Sequence, residues 1–437
     1  MLNHSQIPLH RLILSFSEAM DQVHPRVADH QQRTAFIAAR IARQMGFSDS
    51  ELLDVFYAGA LHDIGLITSE NRITAVSVQD LERVNWHSET GYELLKTHKL
   101  FAEPARIVRY HHLEWANGRG SEFNGREVPL ASHIITLADN VELNIQRTAP
   151  VLGQVPTILE KIQSQAGSTF HPDCVEAFIE ASRPEAFWLD AVSPRIYSVL
   201  LQDIDWPTMI IDEVSIEPIA ELFGRLVDAA SPWTAVHSAG VAATAVSLAE
   251  ELHFSPRELH LMKAAGYLHD LGKLGVPGRI LDKPGKLTSE EYLRVKTHTY
   301  FTYRILETIG GMQQIAEWAA FHHERLDGKG YPFRLSGDEL TLGSRIMAVA
   351  DVFTALLEDR PYRKGMSLEE ALAIINRLVR DGALDGEVVK TLNQQCERID
   401  HIRRSEQVEY GAQQAILFNL TGREARAEEP ALLAAVG

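Results

Sequence analysis

One series of histidines and aspartates occurs twice along this chain with nearly the same internal spacing. The first two histidines are 32 residues apart in both copies, the next pair is 24 apart in both, and the last histidine precedes its aspartate by 27 and 28 residues. The copies are offset by about 210 residues, whereas solenoid repeats have periods of about 20–50 residues. The spacing therefore predicts an internal duplication. The two series are His30, His62, Asp63, His87, His111, His112 and Asp139, and His237, His269, Asp270, His298, His322, His323 and Asp351.

The segments around these residues have the periodicity of amphipathic helices. Residues 34–45 and 241–252 carry apolar side chains at helical spacing, and residues 367–378 form a third such segment with Ser367 as a candidate N-cap. Alternating strand patterns are scarce, and the best is the short stretch 209–214. The chain is predicted to be all-α, with two tandem helical domains that arose from the duplication.

A chain of 437 residues is too long for one ordinary core. We expect the boundary within residues 200–215, followed by a lead-in helix over residues 214–229. The first domain would comprise residues 1–205 and the second residues 206–420. Residues 421–437 are rich in Ala and Glu and are predicted to be a disordered tail.

Composition limits the partners and the compartment. The net charge of −17 argues against a nucleic acid polymer, which needs a basic surface, although a small anion could still bind in a local cationic pocket. No apolar run is long enough to span a membrane, and the N-terminus lacks the pattern of a secretory signal. The two cysteines, Cys174 and Cys396, form no metal-binding pair. A cytoplasmic protein is expected.

The second series favours a transition-metal site. Imidazole and carboxylate ligands suit iron, manganese, nickel or zinc, and the absence of nearby thiolates argues against a structural zinc site. Two metals about 3.5–4 Å apart can neutralise a phosphodiester and activate water at neutral pH. In an adjacent pair such as His269-Asp270, the carboxylate can bridge two ions while the histidine binds one.

Residues from about 228 to 392 resemble the HD-GYP phosphodiesterases, a metal-dependent family that hydrolyses cyclic dinucleotides. The resemblance rests on four dense motifs. They are His-Asp-Leu-Gly-Lys at 269–273, Ile-Leu-Asp-Lys-Pro-Gly-Lys-Leu-Thr at 280–288, His-His-Glu to Gly-Tyr-Pro at 322–332, and Asp-Val-Phe-Thr-Ala at 351–355. The resemblance implies a phosphodiesterase acting on cyclic di-GMP or 3′,3′-cyclic GMP-AMP, with a linear dinucleotide as product.

The resemblance also implies roles for individual residues. One metal would be held by His237, His269, Asp270 and Asp351, and the other by Asp270, His298, His322 and His323. The metals are expected to be iron, with manganese or another transition metal as alternatives. Lys273 would contact the scissile phosphate, Tyr331 would shape the base pocket, and Arg360 and Arg363 would bind phosphates. A homodimer is compatible with the resemblance.

Two positions depart from the family pattern. Trp233 stands four residues before the first histidine, where some members have a Glu that permits a third metal, so two metals are expected. Thr302 replaces a common Gly after the third histidine, and we expect only a packing consequence.

The first copy keeps the metal-ligand set but lacks other parts of the pattern. Leu66 replaces the lysine, Ser121-Glu122 replaces the Tyr-Pro of the loop, and only Arg147 resembles the arginine segment. Three hypotheses remain open for this degenerate domain. It is a structural and regulatory partner, it binds metal without turnover, or it is a phosphomonoesterase.

Two other functions compete with the cyclic dinucleotide phosphodiesterase. One is a nucleotide or alarmone phosphohydrolase, which the Gly-Tyr-Pro loop and the Arg360/Arg363 pair disfavour. The other is a non-catalytic cyclic dinucleotide receptor, which the complete second ligand set and Lys273 disfavour.

Overall fold

The computed structural model describes residues 7–21, 29–68, 81–203, 210–212, 215–231, 233–360 and 363–420. The chain divides into two compact units. The first is Ile7–Leu66 with Asn71–Ile211, and the second is Asp212–Gly437 with the short stretches Met1–Gln6 and Ile67–Glu70. The boundary expected between residues 205 and 206 and the tail expected over residues 421–437 lie outside the described residues.

The first unit is mainly α-helical and contains two short strand pairs. Strand β1 (Ile7–Pro8) pairs antiparallel with β4 (Ile210–Ile211), and β2 (Glu122–Phe123) pairs antiparallel with β3 (Arg126–Glu127). The α-helices are α1 (Leu9–Asp21), α2 (His30–Gln44), α3 (Asp49–Leu61), α4 (Leu81–Leu95), α5 (Ala102–Arg109), α6 (Leu130–Leu143), α7 (Val155–Ser164), α8 (Pro172–Ala181), α9 (Glu185–Ala191) and α10 (Ile196–Asp203). The 3-10 helices are Ile64–Thr68, Lys99–Phe101, Ala116–Ser121 and Val151–Gly153.

The second unit is also helical, so the predicted all-α fold class is confirmed. Its α-helices are α11 (Ile216–Ala229), α12 (His237–Glu251), α13 (Pro256–Leu268), α14 (Gly278–Leu281), α15 (Ser289–Glu307), α16 (Gln313–Ala320), α17 (Leu342–Leu357), α18 (Leu368–Arg380) and α19 (Gly386–Leu420). The 3-10 helices are Leu271–Gly275 and Gly337–Glu339. Among the described residues, no helix is both long and apolar enough to cross a membrane.

Each unit is organised around one buried helix that begins with the first histidine of its series. Helix α2 packs against α3, α6 and α8, and helix α12 packs against α13, α17 and α19. Small residues such as Ala242 and Ala245 are buried along α12 because helices surround it. This packing brings the ends of the neighbouring helices towards the first histidine.

The helix that precedes each His-Asp pair begins in the same way in both units. Ser48 and Ser255 form capping boxes with Glu51 and Glu258, in which each glutamate also accepts a hydrogen bond from the N-cap backbone. These caps fix the first turns of α3 and α13. Both helices then end at the residue before the histidine, which places His62 and His269 at corresponding helix ends.

Close backbone approaches at two pairs of equivalent glycines fix the position of the His-Asp pair. A Cβ on Gly59 would lie 2.8 Å from the Cα of Ala35, and one on Gly266 would lie 2.5 Å from the Cα of Ala242. Further along the chain, a Cβ on Gly272 would lie 2.0 Å from the carbonyl oxygen of His298; its equivalent, Gly65, approaches the first unit's third histidine in the same way. Any larger side chain would push apart the backbones that carry successive ligands.

Thr302 does more than pack. Its hydroxyl donates a hydrogen bond to the carbonyl of His269 (3.1 Å) and accepts one from the amide of Gly272 (2.9 Å). The expectation of a packing consequence alone was therefore incomplete. The side chain ties helix α15 directly to the segment that carries the second histidine.

Several helix predictions from the sequence agree with the structure. The segments predicted over 34–45 and 241–252 lie in α2 and α12, each of which starts four residues earlier, at a histidine. Ser367 is the N-cap of α18, where its hydroxyl accepts a hydrogen bond from Glu370 N (3.2 Å). The lead-in helix is α11, and the short strand stretch contains β4.

Candidate metal centres

Seven side chains from the second unit meet in one cluster, and all but His323 are buried. They come from five helices or from residues just after them. His237 begins α12, His269 and Asp270 follow α13, His298 lies in α15, His322 and His323 follow α16, and Asp351 lies in α17. The fold thus brings together the complete predicted second series.

Asp270 lies between two pairs of histidines. Its Oδ2 is 3.2 Å from Nε2 of His269 and 4.0 Å from Nε2 of His237. Its Oδ1 is 3.4 Å from Nε2 of His298 and 4.0 Å from Nε2 of His322. One carboxylate oxygen therefore faces each histidine pair, as a bridging ligand requires.

The ligand atoms form two groups on either side of that carboxylate. In each group, the candidate ligand atoms all lie within 4.8 Å of one another. Asp351 also approaches both groups, since its Oδ1 is 3.3 Å from His237 Nε2 and its Oδ2 is 3.7 Å from His323 Nδ1. The two groups are His237, His269 and Asp351, and His298, His322 and His323; a third set within the same limit, His269, Asp270 and His322, connects them.

Hydrogen bonds on the outer faces of the rings orient three of the histidines. Nδ1 of His269, His298 and His322 donates to the backbone carbonyl three residues earlier, at 2.7, 2.6 and 2.6 Å. The proton is thereby held at Nδ1, and the Nε2 lone pair points into the cluster. Such outer contacts orient metal-binding histidines and raise their basicity.

A carboxylate orients the ring of His237. Glu358 Oε2 accepts from Nδ1 of His237 at 2.8 Å, and it also accepts from Arg360 Nη2 at 3.1 Å. The other oxygen of Glu358 accepts from Gln407 Nε2 at 2.6 Å, and Gln407 belongs to α19. Glu358, at the C-terminal end of α17, thus fixes the orientation of the first histidine and is itself held by Gln407 from within α19.

The protonation states of most side chains in the cluster favour binding of a metal ion. Burial lowers the pKa of His298, His322 and His323 to about 3, so these rings are neutral at physiological pH. Burial opposes ionisation of Asp270, but His269 and Lys273 outweigh it and hold the carboxyl pKa well below its usual range.

His237 differs from the other histidines. Burial disfavours its charged form, but Glu358 and Asp351 outweigh that effect and raise the pKa of His237 to about 9. A proton would therefore occupy His237 at neutral pH until a cation displaces it. Metal binding that releases protons is usual for such ligands.

The donor set fits a pair of divalent metal ions. His269 Nε2 and Asp270 Oδ1 are buried and have no hydrogen-bond partner within the described residues. Unpartnered buried polar atoms are costly, and a bound cation would satisfy both. The ligands are nitrogen and oxygen atoms without thiolate, which suits catalytic iron, manganese or related ions.

Two residues predicted to contact substrate border this cluster. The ammonium of Lys273 forms an ion pair with Asp270 Oδ2. The ring of Tyr331 lies 5.0 Å from the ring of His323, between centroids, and the ammonium of Lys296 lies 4.8 Å from the centroid of the Tyr331 ring. The Gly-Tyr-Pro loop therefore adjoins the ligand group of His298, His322 and His323.

The two predicted phosphate-binding arginines have other contacts. The guanidinium of Arg363 donates to the backbone carbonyls of Ala355, Leu356, Glu358 and Lys364. Arg360 donates to Glu358. These contacts hold the C-terminal end of α17, and the predicted phosphate contacts of the two arginines stay predictions.

The first unit brings its own series together in a similar way. Asp63 Oδ1 is 3.2 Å from His87 Nε2, and Asp63 Oδ2 is 3.4 Å from His62 Nε2. His30 Nε2 is 3.3 Å from Asp139 Oδ1. Ligand atoms lie within 4.8 Å of one another in two groups, namely Asp63, His87, His111 and His112, and His30, His62 and Asp63.

The surroundings of this first cluster differ from those of the second. Leu66 lies in the 3-10 helix that follows Asp63, at the position where the second unit has Lys273. This position therefore supplies no ammonium to the first cluster. Leu113 replaces Glu324 after the histidine pair, and the chain then forms a 3-10 helix and the β2–β3 hairpin. Among the described residues, the two units thus share a series of candidate ligands and differ in the side chains and the loop beside it.

Sequence reasoning missed the carboxylates that orient the first histidine of each series. Glu358 does so in the second unit, and Glu142 does so in the first, where its Oε2 accepts from His30 Nδ1 at 2.7 Å. Glu358 is 121 residues from His237, and Glu142 is 112 residues from His30. The two glutamates stand at different distances from Asp351 and Asp139, so the repeat itself gave no signal.

Comparisons with known proteins agree on the family. The HD domain family matches residues 221–388 and, separately, residues 27–144. The 3'3'-cGAMP-specific phosphodiesterase 1 of Vibrio cholerae is 31% identical over 392 residues, which cover 87% of this chain and 90% of that protein. A cyclic di-GMP phosphodiesterase of Pseudomonas aeruginosa, PA4108, is 37% identical over 168 residues, or 37% of this chain and 41% of the relative.

A solved structure extends the similarity to three dimensions. The crystal structure of a cyclic GMP-AMP-specific phosphodiesterase from V. cholerae, V-cGAP3, matches with a TM-score of 0.63 at 27% identity. The match covers 90% of this chain and 98% of that one. The relationship therefore includes both copies of the series.

Proposed function

This chain belongs to the tandem HD-domain phosphodiesterases of the HD-GYP type, and from that premise we propose that its second unit hydrolyses a cyclic dinucleotide to a linear dinucleotide. The substrate would be 3′,3′-cyclic GMP-AMP, cyclic di-GMP or both. The observation that carries the proposal is the convergence of five histidines and Asp351 around Asp270, in a chain that is similar over most of its length to such enzymes.

We assign two divalent metals to the second unit. One would be bound by His237, His269, Asp270 and Asp351, and the other by Asp270, His298, His322 and His323. The two ligand groups and the placement of Asp270 between them support this division. When bound, such ions supply Lewis acidity and a water of lowered pKa. Iron is the preferred identity because imidazole and carboxylate are its common ligands, with manganese as the alternative.

The protein's own residues would then position and stabilise the reacting phosphate. Water oxygen would bond to phosphorus as the P–O3′ bond breaks, and the O3′ would leave with a proton. Lys273 lies beside Asp270. In this position its ammonium can neutralise charge that develops on the phosphate oxygens. Tyr331 would contribute to the base pocket, next to His323.

The first unit is assigned a metal but no action on cyclic dinucleotides. Its four clustered ligand side chains, Asp63, His87, His111 and His112, support metal binding. Leu66 provides no charge for the phosphate, and the loop after His112 has no Gly-Tyr-Pro sequence. A homodimer stays a prediction, which a measurement of molar mass in solution would test.

Matched variants at the two central aspartates test the proposal. Asp270→Ala should abolish cyclic dinucleotide hydrolysis because the carboxylate that lies between the two histidine pairs is lost. Asp63→Ala changes the equivalent carboxylate of the first unit and should retain hydrolysis. The reverse pattern, or an active Asp270→Ala protein with its metals bound, would contradict the assignment.

A further inference from the structure

A cavity of about 550 Å³ lies beside the second metal cluster. Helix α15 forms one wall, and the Gly-Tyr-Pro loop forms the other. Tyr331 separates the cavity from the metal ligands, because its ring contacts His323. The volume lies in the range of small-molecule sites, about 300–1,000 Å³. The residues that give it chemical character are Leu293, Lys296, Tyr300, Lys329, Tyr331 and Arg334.

Three cations line this cavity in a chain whose net charge is −17. Lys296 is half-buried, and its ammonium lies 4.8 Å from the centroid of the Tyr331 ring. Lys329 and Arg334 are exposed at the mouth, where Asp327 approaches Lys329 only loosely, at 3.5 Å. The local field therefore favours an anion, against the charge of the whole molecule.

Apolar side chains of the same helix face are exposed at the cavity. Tyr300 is 40% exposed and Leu293 is 61% exposed, although both are large apolar residues. The ring of Tyr300 lies 5.8 Å from that of Phe301 and 6.1 Å from that of Phe333, between centroids, and the guanidinium of Arg304 lies 5.0 Å from its centroid. Aromatic rings beside cations are the usual means of holding a nucleobase and its phosphate.

The first unit has other residue types at the equivalent positions. Counted from the third histidine of each series, Leu293, Lys296 and Tyr300 correspond to Glu82, Asn85 and Glu89. Glu89 forms a bidentate ion pair with Arg109, at 2.8 and 2.7 Å. Lys and Tyr at the positions of Lys296 and Tyr300 therefore occur in the second copy only, whereas the series of histidines and aspartates occurs in both.

We propose that this cavity binds the half of the cyclic dinucleotide that is not being cleaved. Lys296, with Arg334 and Lys329 at the mouth, neutralises its phosphate, and Tyr300 and Leu293 cover its base. This inference rests on the proposed function. The phosphate-binding cations would be Lys296, Arg334 and Lys329. The guanidinium groups of Arg360 and Arg363 instead contact Glu358 and backbone carbonyls.

Substrates of two sizes, cyclic dinucleotides and a small phosphodiester, distinguish an effect on this subsite from an effect on the metal centre. The full chain, loaded with Mn²⁺, is assayed with cyclic GMP-AMP, cyclic di-GMP and bis(p-nitrophenyl) phosphate, which has no second nucleotide. Lys296→Gln and Tyr300→Ala should each raise the KM for the cyclic dinucleotide about tenfold, with a much smaller change in the KM for the small diester. Lys390→Gln, an exposed lysine on α19, is the matched control and should behave as wild type.

The outcomes distinguish the two claims. If wild type cleaves a cyclic dinucleotide but Lys296→Gln and Tyr300→Ala leave its KM unchanged, the subsite is wrong and the proposed function stands. If both variants impair the small diester equally, the residues act on the metal centre and the subsite is again wrong. If wild type cleaves only the small diester, the proposed function fails and the subsite fails with it.

Discussion

At the scale of single residues, Lys273 distinguishes the two otherwise similar clusters. Its ammonium contacts the carboxylate that lies between the histidine pairs, and it helps to hold the pKa of Asp270 low. The equivalent residue of the first unit, Leu66, can do neither. We therefore regard Lys273 as a residue that stabilises the reacting phosphate and not as a metal ligand.

Replacing Lys273 with the residue of the other copy tests that role. Lys273→Leu should lower kcat for the cyclic dinucleotide about 10²-fold, the usual effect of removing one group that stabilises developing charge. Metal content, measured by elemental analysis after dialysis, should stay close to that of wild type. Lys390→Leu serves as the surface control. A loss of activity that follows a proportional loss of metal would show that Lys273 supports the ligands instead.

The sequence predicted the residues of the second cluster well but not the contacts that orient them. All seven positions of the series meet in the structure, and each of them could be recognised from its spacing and its neighbouring residues in the sequence. Glu358, which contacts His237, and Gln407, which holds Glu358, could not be inferred, since both are distant from His237 in sequence. The backbone carbonyls around Arg363 are likewise visible only in the structure, and its predicted contact with phosphate stays a prediction.

At the scale of elements, one buried glutamate organises the Gly-Tyr-Pro loop. Oε1 of Glu324 accepts hydrogen bonds from the amides of Phe333 (2.7 Å) and Arg334 (3.1 Å), and Oε2 accepts one from Leu335 (3.1 Å). The loop thus closes on the residue that follows the histidine pair. The first unit has Leu113 in that place, and its loop forms a hairpin.

A swap at this position tests whether the carboxylate holds the wall of the substrate site. Glu324→Leu should lower kcat/KM for the cyclic dinucleotide at least about tenfold, because three amides lose their acceptor at once. Cleavage of bis(p-nitrophenyl) phosphate should fall much less. The comparison variant is Glu369→Leu, an exposed glutamate in the first turn of α18. Equal losses on both substrates would mean that the loop serves the metal centre as well.

Helices were easier to predict than the connections between them. Apolar periodicity located α2, α12 and α18 to within a few residues, and Ser367 was identified as a cap from its type alone. The hydrogen bonds of Glu324 to the loop and of Thr302 to His269 depend on how separate segments meet. Local sequence patterns carry no information about hydrogen bonds between segments that are distant in sequence.

At the scale of the whole molecule, duplication has produced two ligand clusters with different surroundings. The first retains five histidines and two aspartates, oriented by Glu142 and by backbone carbonyls, for example His62 to Gly59 at 2.8 Å. Its sequence lacks the lysine, the Gly-Tyr-Pro motif, and the Lys and Tyr that stand at positions 296 and 300 of the second copy. We therefore expect metal binding to be common to both units and phosphodiesterase activity to be confined to the second.

Metal counting on the full chain tests this division. Wild type should bind more than two divalent ions per chain, and Asp63→Ala should lower the number while cyclic dinucleotide turnover continues. Asp270→Ala should lower the number by about two, the pair expected for such a site, and should abolish turnover. If Asp63→Ala contains as much metal as wild type, the first cluster is a hydrogen-bonded core and not a metal site.

The most direct test of the account is a product assay. Protein loaded with Fe²⁺ or Mn²⁺ is incubated separately with 3′,3′-cyclic GMP-AMP and cyclic di-GMP, and chromatography resolves linear dinucleotide, mononucleotide and free phosphate. We expect linear dinucleotide from at least one ring, and the ratio of rates identifies the preferred substrate. If neither ring is opened while both metals are shown to be bound, the account is contradicted, and the second unit is a receptor or a hydrolase of smaller phosphates.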